Sequence, residues 1–318
     1  MRLGPAAKVS QTGGSHVSRN EWRFHISKHW IDALQRLVLQ LDNEPSLLEP
    51  DRLRQRLEAL DLLDAYLPDF PPSAYNPEPD EVELCRRARA IRSRLEAVNS
   101  ALYQAIRSEI QRGAGRDALF RWVPMEETAA PVSGMGYDYL DELIGGVFEF
   151  EEPEDGEISR EPEIVFYQPT PARHIFHLIG LASLTASDVL VDLGSGLGHV
   201  PLLAAILSSA RSIGIELEAT YIECARQCAQ RLNLNRVTFI QEDARAADLS
   251  VGTVFYLYTP FTGSILSSVL SRLRREAAAR PIRICTYGPC TSAVAEESWL
   301  EATVAPLPHR IALFRSRP

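Results

Sequence analysis

No basic surplus marks this sequence. Its 33 Lys and Arg stand against 42 Asp and Glu, a formal net charge of -9, so the chain as a whole exerts no general attraction on nucleic acid or an anionic membrane, although a local basic face is still allowed. It holds no run of 18 uninterrupted apolar residues, which argues against a membrane-spanning helix. Cysteine is sparse and odd in number, at Cys85, Cys224, Cys228, Cys285 and Cys290. That scatter excludes the disulfide framework of a small secreted domain and fits a reducing compartment, so the cytoplasm is the expected location. Cys224 and Cys228 stand one helical turn apart, but without a nearby His or further Cys they supply two of the four ligands a structural zinc site needs. They read as small core residues, and no metal is expected. The opening residues contain no apolar core of signal-peptide length, and 1–26 reads as a flexible tail.

What is present falls into two compositional parts. The first is helical. Ile31, Leu34, Leu37 and Val38 recur at helical spacing from about Ser27; Leu53, Leu57, Leu60 and Leu63 do so between Pro50 and Leu67; and a long polar helix is predicted from Asp80 to Arg112, with Gly113 and Gly115 stopping it. Residues 27–116 therefore form an all-α module, whose apolar stripe is expected to pack on its own neighbours rather than on a coiled-coil partner. From 117 to 163 the pattern turns irregular and acidic, with Glu149, Glu151, Glu152, Glu154, Asp155, Glu157, Glu161 and Glu163 against Arg160 alone. Such a run is ordinarily a solvated loop, the functional alternative being a surface that collects a basic substrate.

The second part is organised by Val189-Leu190-Val191-Asp192-Leu193-Gly194-Ser195-Gly196-Leu197-Gly198, a buried strand running into a glycine-rich turn, with a helix after it. Glycines there permit positive φ and let backbone amides approach a ligand at the helix N-terminus. The glycines alternate, and His199 occupies the place of the third glycine of a dinucleotide fingerprint, which weakens that reading. Strands follow at Ser212 to Glu216, Val237 to Ile240, Thr253 to Tyr258 and Ile282 to Tyr287, alternating with helices. Arg310 to Arg315 alternates as an edge strand. This is the pattern of an α/β fold, a doubly wound and mostly parallel sheet. The arginines near the end of the fourth helix of this part, Arg272, Arg274, Arg275 and Arg280, read as complements to the helix dipole rather than as a nucleic-acid patch.

An acid before alternating glycines resembles motif I of the class I S-adenosylmethionine-dependent methyltransferases, and Tyr167-Gln168-Pro169-Thr170-Pro171, about twenty residues earlier, looks like the segment that closes over the cofactor in Dot1-related and archaeal protein-lysine methyltransferases. The resemblance covers about 164–288, within a domain set at 164–318. It implies a Rossmann-like sheet of the seven-stranded type and S-adenosyl-L-methionine as cofactor. Carried over residue by residue, it places Thr170, Asp192, Gly194, Ser195, Gly196, Gly198, Glu216, Asp243, Ala244 and Thr259 at the cofactor, Glu216 on the ribose hydroxyls and Asp243 on the adenine amine, with Glu242 the competing assignment. Thr259-Pro260-Phe261 stands where the acceptor meets the methyl group. Thr259 replaces the acid or amide usual for an adenine target, which argues against nucleic acid and leaves protein lysine or a small molecule. Tyr167, Tyr258 and Phe261 are then candidate walls of an acceptor channel, with Tyr167, Tyr258 and Thr259 as candidates to orient an amine. The expected activity is methyl transfer to a basic protein segment. The alternatives are a small-molecule O- or N-methyltransferase and a catalytically silent scaffold that keeps the fold. The oligomeric state is left open.

Overall fold

The computed structural model describes residues 19–67, 79–124, 136–150 and 162–317. Most of the acidic run, 151–161, lies outside them, as do residues 1–18 of the predicted tail. The chain divides into two compact units, Met1–Val98 and Asn99–Pro318, so the division falls inside a helix, well before the boundary expected near residue 116.

In the first unit, α1 (Arg19–Asp42), α2 (Leu53–Tyr66) and the first part of α3 (Pro79–Gln111) supply the core. Leu34, Val38, Leu63, Ala88 and Leu95 lie at its centre. Helix α1 starts at Arg19, inside the stretch read as tail, because nothing from Arg19 to Glu44 is Gly or Pro and helix therefore propagates across the polar residues. Arg56 is fully buried. It donates to the carbonyls of Leu47, Glu49 and Pro50, tying the connection before α2 to the helix itself.

The second unit is a seven-stranded sheet with helices between its strands, ordered β3 (Val237–Gln241), β2 (Arg211–Glu216), β1 (Val189–Leu193), β4 (Val254–Tyr258), β5 (Arg283–Tyr287), β7 (Ala312–Ser316), β6 (Leu300–Ala302). Every pairing from β3 to β5 is parallel, whereas β7 runs antiparallel to both β5 and β6. The predicted α/β doubly wound sheet is thus present, with one correction. The last strand is not an edge. β7 lies between β5 and β6, and Ala312, Leu313 and Phe314 are all buried rather than alternating. The short edge strand β6 follows α10 (Cys290–Ala295) and escaped the sequence reading because three residues carry no usable period.

Two helices lie within the stretch read as irregular. Helix α4 (Gly115–Phe120) begins at a glycine taken as a stop, while Gly113, at φ 82°, is the residue that ends α3. Helix α5 (Tyr139–Phe148) opens on a capping box in which the Asp138 carboxylate accepts from the Leu140 amide and Asp141 accepts from the Asp138 amide. Its Gly145-Gly146 pair reads as a breaker, yet Gly146 lies so close to Tyr103 that a Cβ there would fall 2.2 Å from the ring.

The order of the central strands positions the site. β1 is flanked by β2 on one side and by β4 on the other, so the connections leave its C-terminal end in opposite directions and open a crevice there.

Candidate cofactor and acceptor site

A cavity of about 470 Å³ occupies that crevice, within the range of small-molecule sites. It is lined by the C-terminal ends of β1, β2, β3 and β4 and by residues 164–170. Tyr167, Thr170, Asp192, Gly194, Ser195, Glu216, Asp243, Ala244, Tyr258, Thr259 and Phe261 all reach it. Of the sequence-predicted residues Gly196 and Gly198 are not in its wall. They shape the turn behind it.

The turn is built from β1 outward. All five residues of β1 are buried, and Gly194, Gly196 and Gly198 have φ of 83°, 52° and 83°. Gly196 is the most constrained, since a Cβ added there would stand 1.9 Å from the Tyr167 ring. Four amides of the turn are engaged within the chain. The Gly194 and Ser195 amides donate to the Ile215 carbonyl, Gly198 donates to Ser195, and Gly196 donates to the Glu216 carboxylate at 2.9 Å. The other oxygen of Glu216 accepts from the Leu217 and Glu218 amides, which fixes this carboxyl group across the mouth of β2.

The ring of Tyr167 covers the turn. It packs at 5.0 Å from Tyr221, and its hydroxyl lies 3.1 Å from His199 Nδ1. Burial drives the His199 pKa down to about 4, so the imidazole is neutral at physiological pH and its tautomer sets the direction of that bond. Burial likewise raises the Tyr167 hydroxyl far above its ordinary range. Neither Tyr221 nor His199 was legible as a site residue, because each belongs to a helix and only the fold turns it inward.

The strap that carries Tyr167 is held at both ends. Glu163 accepts from the Ser264 hydroxyl and the Ile265 amide at the start of α9 (Gly263–Ala279), and Val165 donates to the Pro260 carbonyl. At the other end the Tyr137 hydroxyl donates to the Pro169 carbonyl, and Asp141 accepts from the Ala172 amide opening α6 (Ala172–Ala182). Thr170 is buried, 2.9 Å from the Tyr256 hydroxyl.

On the far wall Asp243 and Glu242 both reach the cavity. Asp243 is gripped by Arg245, whose Nε lies 3.0 Å from each carboxylate oxygen. This pairing holds the acid below the ordinary carboxylate range. Thr259 differs from expectation. It sits at φ 41°, and its hydroxyl donates to the Tyr287 carbonyl and accepts from the Cys290 amide, so it shapes the β4 turn and is not presented to an acceptor. Tyr258 is the opposite case. Its hydroxyl is buried with no hydrogen-bond partner among the described residues, and its pKa is pushed up to about 12, first by burial and then by Tyr287. Three further residues singled out in the sequence have structural work. Arg272 and Arg280 donate to carbonyls between Ala244 and Gly252, and Cys228 is buried against the Phe148 carbonyl.

A methionine-derived nucleoside fits these residues on two observations: Ser195 Oγ is buried with no partner among the described residues, and Glu216 and Asp243 flank one continuous space. Comparison with known proteins finds likenesses over part of the chain. Residues 184–265 match the family model described as a methyltransferase domain. An uncharacterised protein of Methanocaldococcus jannaschii is 37% identical over 62 residues, covering 20% of this chain and 28% of that protein. Among solved structures, an RNA methyltransferase from Salinibacter ruber in complex with S-adenosyl-L-homocysteine is 27% identical over 47% of this chain and 92% of that one, with a TM-score of 0.37. A putative S-adenosyl-L-methionine-dependent methyltransferase from Methanococcus maripaludis is 13% identical over 45% and 83%, with a TM-score of 0.38. Residues 184–265 thus read as a methyltransferase domain. No helix of the described residues is long and apolar enough to cross a membrane.

Proposed function

We propose that the protein transfers the methyl group of S-adenosyl-L-methionine to an amine at the end of a flexible cationic chain, protein lysine being the acceptor. The observation that carries this reading is the character of the cavity wall. Glu216, Glu218, Glu242 and Asp243 line it, and among the described residues they face one guanidinium, that of Arg245, which is paired with Asp243. Such a field attracts ammonium groups and repels the phosphates of RNA, the substrate named for the Salinibacter relative.

When bound, the cofactor supplies an electrophilic methyl group on a positively charged sulfur. The chain's own residues position and desolvate. Glu216 and Asp243 would hold its ribose and adenine, and Ser195 Oγ would add a hydrogen bond. An acceptor ammonium, with an ordinary pKa of about 10.4, has no lone pair until it loses a proton. Burial among Tyr167, Tyr258 and Phe261 lowers that value, and the unpartnered Tyr258 hydroxyl accepts from the amine and directs it.

The test supplies tritiated S-adenosyl-L-methionine with a basic protein mixture, small amines and total RNA in parallel. Label in lysine side chains supports the proposal. Label confined to RNA or to a small molecule overturns the acceptor, and cofactor binding without any transfer favours a silent scaffold.

A further inference from the structure

We propose that Asp192 couples cofactor binding to proton release: its carboxyl group is protonated in the protein without cofactor and ionises when a cation enters the cavity, so that the site prefers the cationic methyl donor to its product. This rests on the preceding reading of the cavity as an S-adenosyl-L-methionine site.

Asp192 is 4% exposed although it lies at the end of β1 and reaches the cavity. Among the described residues, the neighbouring elements bring no cation to it. On β2 its register partner is Gly214, and Glu216 stands two residues further on, lining the same cavity; on β4 its direct register partner is Tyr256, whose hydroxyl is held by Thr170; the strap contributes Tyr167, and α7 (His199–Leu207) the neutral ring of His199. Among the described residues of the wall Arg245 is the one Lys or Arg, and it is bidentate on Asp243 across the cavity. Burial first, and repulsion from Glu216 second, accordingly hold the Asp192 carboxyl group well above the ordinary range.

Two like-charged groups sharing a buried wall cannot both ionise cheaply, but a cation between them reverses the balance. The methyl donor brings a sulfonium charge that the product, S-adenosyl-L-homocysteine, has lost. Ionisation of Asp192 is therefore favoured more by the donor than by the product. The proton passes to solvent on binding, and it returns on product formation. Glu216, by contrast, has both of its oxygens engaged by amides of the chain.

Calorimetric titration of the full chain with each ligand, at about pH 6 in buffers of differing ionisation enthalpy, counts the protons released. At that pH the ligand's own α-amino group, near 7.7–8.0, stays protonated. The expected result is a release approaching one proton with S-adenosyl-L-methionine and clearly less with S-adenosyl-L-homocysteine. In Asp192→Asn the release disappears and the donor-to-product affinity ratio falls by roughly tenfold, the order expected for one charge pair at intermediate dielectric. Glu216→Gln, a second variant, shifts the pH range of the release downward. Tight binding of the donor with no proton exchange, or a release that persists in Asp192→Asn, overturns the inference and leaves the methyltransferase reading intact. Failure of both ligands to bind the folded chain overturns that reading, and this inference with it.

Discussion

Two residues show how function at this site opposes stability. Tyr258 buries a hydroxyl with no partner, a desolvation cost of about 1–3 kcal/mol, so Tyr258→Phe should leave the domain as stable as before or about 1 kcal/mol more stable by denaturant titration. If that hydroxyl orients the acceptor amine, the same variant loses roughly tenfold in kcat under saturating cofactor, and an unchanged rate removes Tyr258 from the mechanism. Gly196 behaves differently. A side chain there meets both the cost of positive φ, about 1–2 kcal/mol, and the Tyr167 ring. Gly196→Ala should weaken cofactor binding by at least about tenfold, and combination with Tyr167→Ala, which clears the space, should recover part of the loss. The glycine turn and its flanking acid were legible in the sequence, because positive φ and close approach leave glycine as the economical choice. Thr259 was legible as a special position but not for its purpose, since a hydroxyl's partner depends on Tyr287 and Cys290, distant in the chain.

At the scale of elements, the strap over the cavity depends on helix ends. Asp141 belongs to the capping box of α5 and also accepts from Ala172, the first residue of α6, so one carboxyl group joins two helix starts to the segment bearing Tyr167 and Thr170. Asp141→Ala should cost about 1–2 kcal/mol. It should also raise the Kd for cofactor severalfold while leaving the sheet intact by circular dichroism; an unaltered Kd would mean the strap is held from its Glu163 end. The parallel strands could be read from sequence because each is a short apolar run bounded by turn residues. Helix α5 could not, because Gly145-Gly146 imitates a break until Tyr103 is seen packed against Gly146. The place of β7 was equally hidden, since the edge it relinquishes is formed by β6, three residues long.

For the whole molecule, cohesion at the end of the sheet opposite the cavity rests on Asp188. Its carboxylate accepts from the Thr185 amide and hydroxyl, from the Thr253 hydroxyl and from Arg283, whose guanidinium also reaches the Ala182 carbonyl. Burial alone would raise its pKa, but these bonds together hold it below the ordinary value. Because the folded value is depressed, the stability it brings is fully present above the unfolded pKa, near 3.9, and is lost as pH falls through the folded value. Asp188→Asn should therefore lower stability by about 1.5–3 kcal/mol at pH 7, with the difference from wild type shrinking below about pH 4. A difference that does not change with pH would place the effect in packing. The division of the chain at Val98–Asn99 was beyond sequence reading because α3 runs through it with no break in helical propensity.

The central claim is that one crevice, between the ends of β1, β2, β3 and β4, holds S-adenosyl-L-methionine. Ultraviolet cross-linking of the labelled cofactor to the folded wild-type chain, followed by mapping of the labelled peptide, tests it most directly. Label on peptides containing Tyr167, Tyr221 or residues 194–198, abolished by excess S-adenosyl-L-homocysteine, is the predicted result. Label confined to the helical unit before residue 99, or none at all, would contradict it.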